Sequence, residues 1–185
     1  MESLLTLAFI VFAVVALILI VIYNGLVSKR NMARNAFSSI DVNLRKRHDL
    51  IPTLVNTVKG YAKHEQETLT SLVEARNQAA SGNLSEKQRL RLEEQIAPRV
   101  QRLMALAESY PELRSSDHFL NLQRNLTEVE EQISASRRAY NATVFEINTS
   151  VESFPSNLIA NAFGFKRHDF FEASGSTRSS VEVQL

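Results

Sequence analysis

The chain has 185 residues, with 21 Lys and Arg against 20 Asp and Glu, so its formal net charge is +1. This near balance does not indicate strong nucleic-acid binding, and the absence of cysteine excludes disulfides, thiolate metal ligands and cysteine nucleophiles. Only 5 glycines and 4 prolines occur, which favours long helices over a turn-rich β protein.

The first predicted element is an apolar run at residues 4–23, which follows a short N-terminus at residues 1–3. The run contains no charged residue, and a helix of this length spans about 30 Å, the hydrocarbon thickness of a bilayer. A cleaved signal peptide is the alternative, but its apolar region is usually about 7–15 residues long and follows basic residues that are absent here. We therefore predict a retained transmembrane helix.

Basic residues decide the predicted orientation of this helix. Lys29, Arg30 and Arg34 follow the run, whereas only Glu2 and the amino terminus precede it. The positive-inside rule then places the N-terminus outside and the C-terminal domain in the cytoplasm. The alternative is an exported domain in which these cations serve the fold.

Residues 24–153 are predicted to form an all-α, up-and-down four-helix bundle with long first and last helices. Apolar residues recur there at steps of three and four, as in amphipathic helices. The first helix is expected to kink at Pro52, because the apolar phase continues on both sides, and to end near Gly60. The second covers about residues 64–80, where Leu69 and Leu72 are inward.

The third and fourth bundle helices are predicted from capping signals and periodicity. Ser85 is read as the N-cap of the third, which bends at Pro98 and ends before Pro111. The fourth runs from about residue 116 to Phe154 and has the clearest stripe of apolar residues in the chain. No segment alternates with period two for long enough to indicate a strand.

An up-and-down arrangement predicts which residues face each other. With each residue rising about 1.5 Å, residues 137–138 fall opposite residues 39–40. Arg137 and Arg138 should therefore lie near Asp41, and the fourth helix should end at the membrane surface. The second helix is too short to reach that level, so the lower parts of the first and fourth helices should form an exposed stem.

Residues 154–172 are predicted to be an aromatic amphipathic segment, in which Lys166 and Arg167 interleave with apolar side chains. Three readings stay open: the segment lies in the membrane interface, contacts a neighbouring subunit, or caps the bundle core. Its candidate interaction residues are Phe163, Phe165, Phe170 and Phe171. Residues 173–185 are polar and are predicted to be disordered.

A second candidate interaction surface is the charged run Arg45, Lys46 and Arg47 on the first helix. Together with Asp41, Arg137 and Arg138 it is read either as interhelical ion pairs and solvated charge, or as a contact surface for neighbouring subunits or anionic lipid.

No arrangement of residues indicates catalysis. The histidines are widely separated, and neither a zincin motif nor a phosphate-binding loop occurs. The acidic pairs Glu93-Glu94 and Glu130-Glu131 are read as solvated helix faces. The sequence therefore predicts no catalytic, cofactor-binding or metal site.

Several long motifs resemble the signature of the LemA family over roughly residues 20–172. They are YNGLV at 23–27, IDVNLRKRHDLIPTLV at 40–55, VKGYAKHE at 58–65, AESYPEL at 107–113 and RRAYN at 137–141. The resemblance implies a bacterial inner-membrane protein with a short external N-terminus and a cytoplasmic helical domain. It implies a scaffold-like protein and supplies no catalytic residues.

Two functional hypotheses follow. The first is a non-enzymatic scaffold that self-associates at the bacterial inner membrane as a homo-oligomer, in contact with membrane lipid. The second is an adaptor that binds a membrane or signalling protein through the aromatic segment. An enzyme would need titratable groups that converge in a pocket, and the sequence offers none at a diagnostic spacing.

Overall fold

The computed structural model describes residues 1–62, 64–81, 84 and 86–171. Within these residues the chain forms six helices and no strand, which confirms the predicted all-α class. In chain order they are α1 (Glu2–Lys59), α2 (Gln66–Ala79), α3 (Glu86–Ala107), α4 (Pro111–Arg114), α5 (Asp117–Glu152) and α6 (Ser156–Ala162). The predicted N-cap Ser85 and the predicted disordered tail at 173–185 lie outside the described residues.

The helices end close to the predicted boundaries at Gly and Pro residues, and two further short helices are present. Helix α1 joins the apolar run and the first predicted bundle helix into one element and ends at Lys59, before Gly60. Two short helices, α4 and α6, were not predicted, and each begins at or just after a proline. Pro111 starts α4 because its fixed backbone angle suits the first turn of a helix, where no N–H bond is needed.

Helix α1 continues through Pro52, as predicted. Proline has no N–H, so the carbonyl four residues earlier, that of His48, loses its helical hydrogen bond. The Arg76 Nε atom of α2 donates a hydrogen bond to this carbonyl at 3.3 Å. A side chain from a second helix thus satisfies the acceptor that the proline leaves open.

The described chain divides into two compact units. Unit 1 consists of residues 1–39 and 136–171, and unit 2 consists of residues 40–135. Unit 2 has a closed apolar core, to which each fully buried Leu or Ile side chain contributes about 1.5–3 kcal/mol. The largest members of this core are Ile51, Leu54, Val58, Leu69, Leu72, Ile96, Val100, Leu103, Leu113, Phe119, Leu122 and Leu126.

Unit 1 pairs the middle of α1 with the second half of α5. Leu26 and Ile147 share a buried cluster, and the Lys29 Nζ atom donates to the Ser150 Oγ atom at 2.6 Å. Further along α1, the ring centroids of Phe37 and Tyr140 are 5.7 Å apart. Residue numbers therefore rise from 26 to 37 on α1 as they fall from 147 to 140 on α5, so the two helices are antiparallel within this unit, as predicted. In unit 2, Lys46 bonds Gln132 and Arg47 bonds Glu130, which is the same opposite order.

The four-helix bundle as a whole stays a prediction, as does the expected approach of Arg137 and Arg138 to Asp41, because these residues belong to different units.

The apolar run of α1 has no protein cover. Every residue from 4 to 21 except Ala16 is exposed, and all of them are apolar apart from Thr6. By length and composition, α1 is the one helix in the described part of the chain that is able to cross a membrane.

The bond between Arg76 and the His48 carbonyl predicts a coupling to Pro52. We expect Arg76→Ala to lower the free energy of unfolding by about 1–2 kcal/mol, because a partly buried acceptor loses its donor. In a Pro52→Ala background the new N–H bonds the same carbonyl, so this loss should be smaller by about 1 kcal/mol. Urea unfolding followed by circular dichroism measures the double-mutant cycle.

Arg99→Ala is the matched control for that cycle, since Arg99 bonds the Gln95 carbonyl within α3. Its effect should add to that of Pro52→Ala. An equally additive result for Arg76 would contradict the assignment.

Candidate interaction surface

Helix α6 lies near the start of the aromatic segment, and a turn at Gly164 ends it. The Phe165 N–H bonds the Ala160 carbonyl at 2.9 Å, and the Gly164 N–H bonds the Asn161 carbonyl at 3.4 Å. This pattern requires a left-handed residue after the helix, and Gly164 supplies it with φ of 71°. The turn places Phe165 in the buried cluster with Ala160, Ile159 and Leu26.

Residues 166–171, here termed the C-terminal strap, lie along α5. The side-chain amide of Asn148 donates to the His168 carbonyl and accepts from the His168 N–H, both at 2.9 Å. Asn141 makes the same pair of bonds with Phe171, at 2.9 and 2.8 Å.

The spacing explains why two amides suffice to hold the strap. Asn141 and Asn148 are seven residues apart, about 10.5 Å along a helix. The three steps along the chain from His168 to Phe171 span about 10 Å when the backbone is extended. The Tyr140 hydroxyl adds a bond to the Asp169 carbonyl at 3.2 Å.

The four phenylalanines predicted as interaction residues separate into two pairs. Phe165 and Phe171 are buried, at 8% and 4% exposed, and each carries a guanidinium over its ring. Arg30 lies 5.1 Å from the Phe165 centroid, and Arg137 lies 4.1 Å from that of Phe171.

Only Phe163 and Phe170 remain on the surface, at 63% and 43% exposed. The burial of Phe165 and Phe171 corrects their prediction as interaction residues and agrees, for these two rings, with the reading in which the segment caps a core. Phe165 belongs to the buried cluster of unit 1, and Phe171 is buried beneath the guanidinium of Arg137.

The charged run in unit 2 is also divided between surface and interior. Arg47 is fully buried, so it does not belong to a contact surface, and this corrects its prediction as an interaction residue. Its Nη2 atom lies 2.5 Å from Glu93 Oε2, and its Nη1 atom lies 3.0 Å from Glu130 Oε1. The His48 Nε2 atom approaches Glu93 Oε1 at 2.9 Å.

Glu93 is fully buried, which shows that its prediction as a solvated residue was wrong. Burial alone raises the pKa of this carboxyl. The hydrogen bond to His48 and the charges of Arg47 and His48 outweigh that effect, so the pKa of Glu93 lies below its usual range.

The other predicted residues of the charged run lie nearer the surface. Asp41 forms ion pairs with Arg45 and with Arg89 of α3. The Arg45 side chain is 75% exposed, and Lys46 donates from an exposed position to Gln132 at 3.3 Å. Arg138 is exposed on α5 and has a partner of its own.

The burial of Glu93 and the bonds of Asn141 and Asn148 to the strap were not predicted from the sequence, although one signal for Glu93 was present. Glu93 is in phase with the buried positions Ile96, Val100 and Leu103, at steps of three and four. A charged residue in such a register needs a partner, and Arg47 stands at a buried position of α1.

These clusters do not amount to a metal centre. Within residues 1–62, 64–81, 84 and 86–171, no group of three or more His, Asp or Glu side chains is placed to hold a metal ion.

Comparison with known proteins gives one family and two kinds of relative. A model described as LemA family matches residues 36–185. Protein LemA of Metamycoplasma hominis is 25% identical over 160 residues, which cover 86% of this chain and 73% of that protein.

Magnetosome protein MamQ 2 of Paramagnetospirillum magneticum is 37% identical over 71 residues, or 38% of this chain and 26% of that protein. MamQ of Magnetospirillum gryphiswaldense is 33% identical over 70 residues, with the same shares of 38% and 26%. The matched segment is thus about a quarter of the length of the magnetosome proteins. None of these relatives indicates a catalytic family.

The buried network of unit 2 predicts a pH-dependent contribution from Glu93. Glu93→Gln leaves the Arg47 guanidinium with Glu130 as its remaining carboxylate, so the free energy of unfolding at pH 7 should fall by roughly 3–5 kcal/mol. Because the folded pKa of Glu93 is depressed, its contribution is present above the ordinary Glu pKa of about 4.3 and is lost as the pH falls through the folded value.

Urea unfolding at several pH values between about 7 and 3 tests both parts of this prediction. Wild type should lose stability on acidification more steeply than Glu93→Gln. Glu131→Gln, at an exposed position, is the matched control and should follow wild type. Equal stability of Glu93→Gln and wild type at pH 7 would contradict the role of the network.

Proposed function

The chain belongs to the LemA family, and we propose that it is a non-enzymatic scaffold, anchored in the bacterial inner membrane, that self-associates through its helical domain. Membrane anchoring is supported by the uncovered apolar run of α1. In water such a run would expose far more contiguous apolar surface than a soluble protein normally does. Lipid is the environment that removes this cost, since a bilayer core matches the length of the run.

The proposed orientation has the N-terminus outside and the helical domain in the cytoplasm. Lys29, Arg30 and Arg34 begin six residues after the run and are the first charges beyond it. The Lys29 ammonium bonds Ser150, and Arg30 lies over Phe165, so both cations also have structural contacts in unit 1. The positive-inside rule supports the orientation.

Self-association is supported by the outer face of α5 in unit 1. Ala142, Phe145 and Thr149 are all exposed and follow one another at steps of three and four. The steps are those by which helices pack side by side in bundles. Small residues flank the ring, so a second helix would be able to approach closely.

The single observation that carries the proposal is the exposure of Phe145, at 63%. It stands in the second half of α5, seven residues before the helix ends at Glu152, on a stretch whose opposite face is buried in unit 1. A phenylalanine on the solvent side of such a helix gains about 1.5–3 kcal/mol when another surface covers it. A second copy of the chain would supply an identical stripe.

A non-enzymatic role is supported by the pairing of the buried charged side chains with one another. The buried carboxylate of Glu93 and the guanidinium of Arg47 are paired with each other and with neighbours inside unit 2. Groups held in this way stabilise packing and are not presented to a substrate.

The alternative is an adaptor that binds a membrane or signalling protein through the aromatic segment. The exposed rings of Phe163 and Phe170 support it, because exposed aromatic side chains often anchor protein contacts. The segmental likeness to magnetosome proteins is compatible with either function, since the names of those proteins state no activity.

Engineered cysteines test the self-association, because the chain has none of its own. With Ala142→Cys, oxidation of membranes should link copies into a disulfide dimer, visible on a non-reducing gel. Asn31→Cys, exposed on α1, is the matched control and should remain monomeric. Addition of Phe145→Glu to Ala142→Cys should abolish the dimer, whereas Phe145→Leu should preserve it.

A dimer band of equal strength in the Phe145→Glu variant would show that this face is not the contact. Absence of any dimer with Ala142→Cys, together with co-purification of another membrane protein, would favour the adaptor.

A further inference from the structure

The exposed apolar side chains around α6 lie at the end of the apolar run. Tyr23 is the last residue of that run, and its ring centroid is 4.9 Å from that of Phe163. Ile159 and Ala160 of α6 share a cluster with Leu26, against which Ile22 also packs. Helix α6 therefore lies within about one helical turn, or about 5 Å, of the point where the run ends.

The outer side of this region is strongly apolar. Phe154, Leu158 and Phe163 are 80%, 61% and 63% exposed, although the inner side of α6 is buried. We term these three residues the collar. Their side chains are large, and two of them are among the most exposed aromatic rings beyond the apolar run.

Two basic side chains follow the collar, just beyond Gly164. Lys166 and Arg167 are exposed, and Arg167 pairs with Glu152 at 2.9 Å while keeping 66% of its side chain in solvent. An apolar face with adjacent cations is the composition of helices that lie in the headgroup region of a membrane. Aromatic rings at this level match the belts at membrane interfaces.

We propose that the collar rests in the headgroup and acyl boundary of the same bilayer that the apolar run crosses. The inference depends on the membrane anchor of the proposed function and is independent of self-association. Lipid is favoured over a protein partner because the contact of Tyr23 with Phe163 fixes the collar at the level where the run leaves the hydrocarbon. The collar and the strap would then hold unit 1 against the membrane surface.

The absence of tryptophan makes a direct depth measurement possible. Phe154→Trp and Phe163→Trp each introduce the only indole in the chain. The full-length variants are reconstituted into phosphatidylcholine and phosphatidylglycerol vesicles, with or without bromine near the headgroup end of the acyl chains. Quenching of the tryptophan emission by bromine reports contact with that lipid depth.

Two further single-tryptophan variants calibrate the measurement. Phe12→Trp lies in the apolar run and is 72% exposed, so deeply brominated lipid should quench it. Met32→Trp is 50% exposed on the same helix, nine residues and about 13 Å beyond Tyr23, so it should not be quenched.

The proposal predicts that both collar tryptophans lose emission at least about twofold in the brominated vesicles, while Met32→Trp does not change. Collar tryptophans that behave like Met32→Trp, beside a quenched Phe12→Trp, would overturn the proposal and leave the anchor intact. Emission that is blue-shifted but unquenched would overturn it in favour of a protein partner. An unquenched Phe12→Trp would overturn the anchor and the collar together.

Discussion

The uncovered apolar run of α1 is the constraint on which the rest of the structure depends. Each large apolar side chain left in water costs about 1.5–3 kcal/mol, and the run presents more than a dozen of them without a protein neighbour. Helix α1 continues without a break to Lys59. The environment that covers the apolar run therefore also positions the part of unit 1 that packs on residues 22–39. Tyr23 stands at this transition and contacts both Phe163 and Phe165.

Each unit is also stabilised by buried or half-buried polar groups that bond to one another or to the backbone. In unit 2, Arg47 occupies a core position and is compensated by Glu93 and Glu130, since a lone buried charge would be too costly. In unit 1, Asn141 and Asn148 provide the bonds that a neighbouring strand would otherwise supply. Both solutions specify one arrangement, because a shifted register would leave a buried polar group unpaired.

The sequence was sufficient for features that depend on local pattern. The length of the apolar run predicted a helix able to cross a membrane, and steps of three and four predicted the helices of the domain. The assumed up-and-down order predicted the antiparallel pairing of α1 with α5. The sequence was insufficient where the burial of a polar group depends on partners from a distant helix. Glu93 pairs with Arg47 and His48, which are 46 and 45 residues away along the chain, and no local pattern indicates that contact. The strap was missed for the same reason, since asparagine amides bind a backbone stretch that has no periodic signal.

The measurement that tests the scaffold most directly is the mass of the full-length protein, extracted gently from membranes, across a range of concentrations. Light scattering combined with particle imaging gives both the mass and the regularity of the assembly. A scaffold that self-associates should give a defined assembly of several copies that persists on dilution. A species that stays strictly monomeric at every concentration would contradict it.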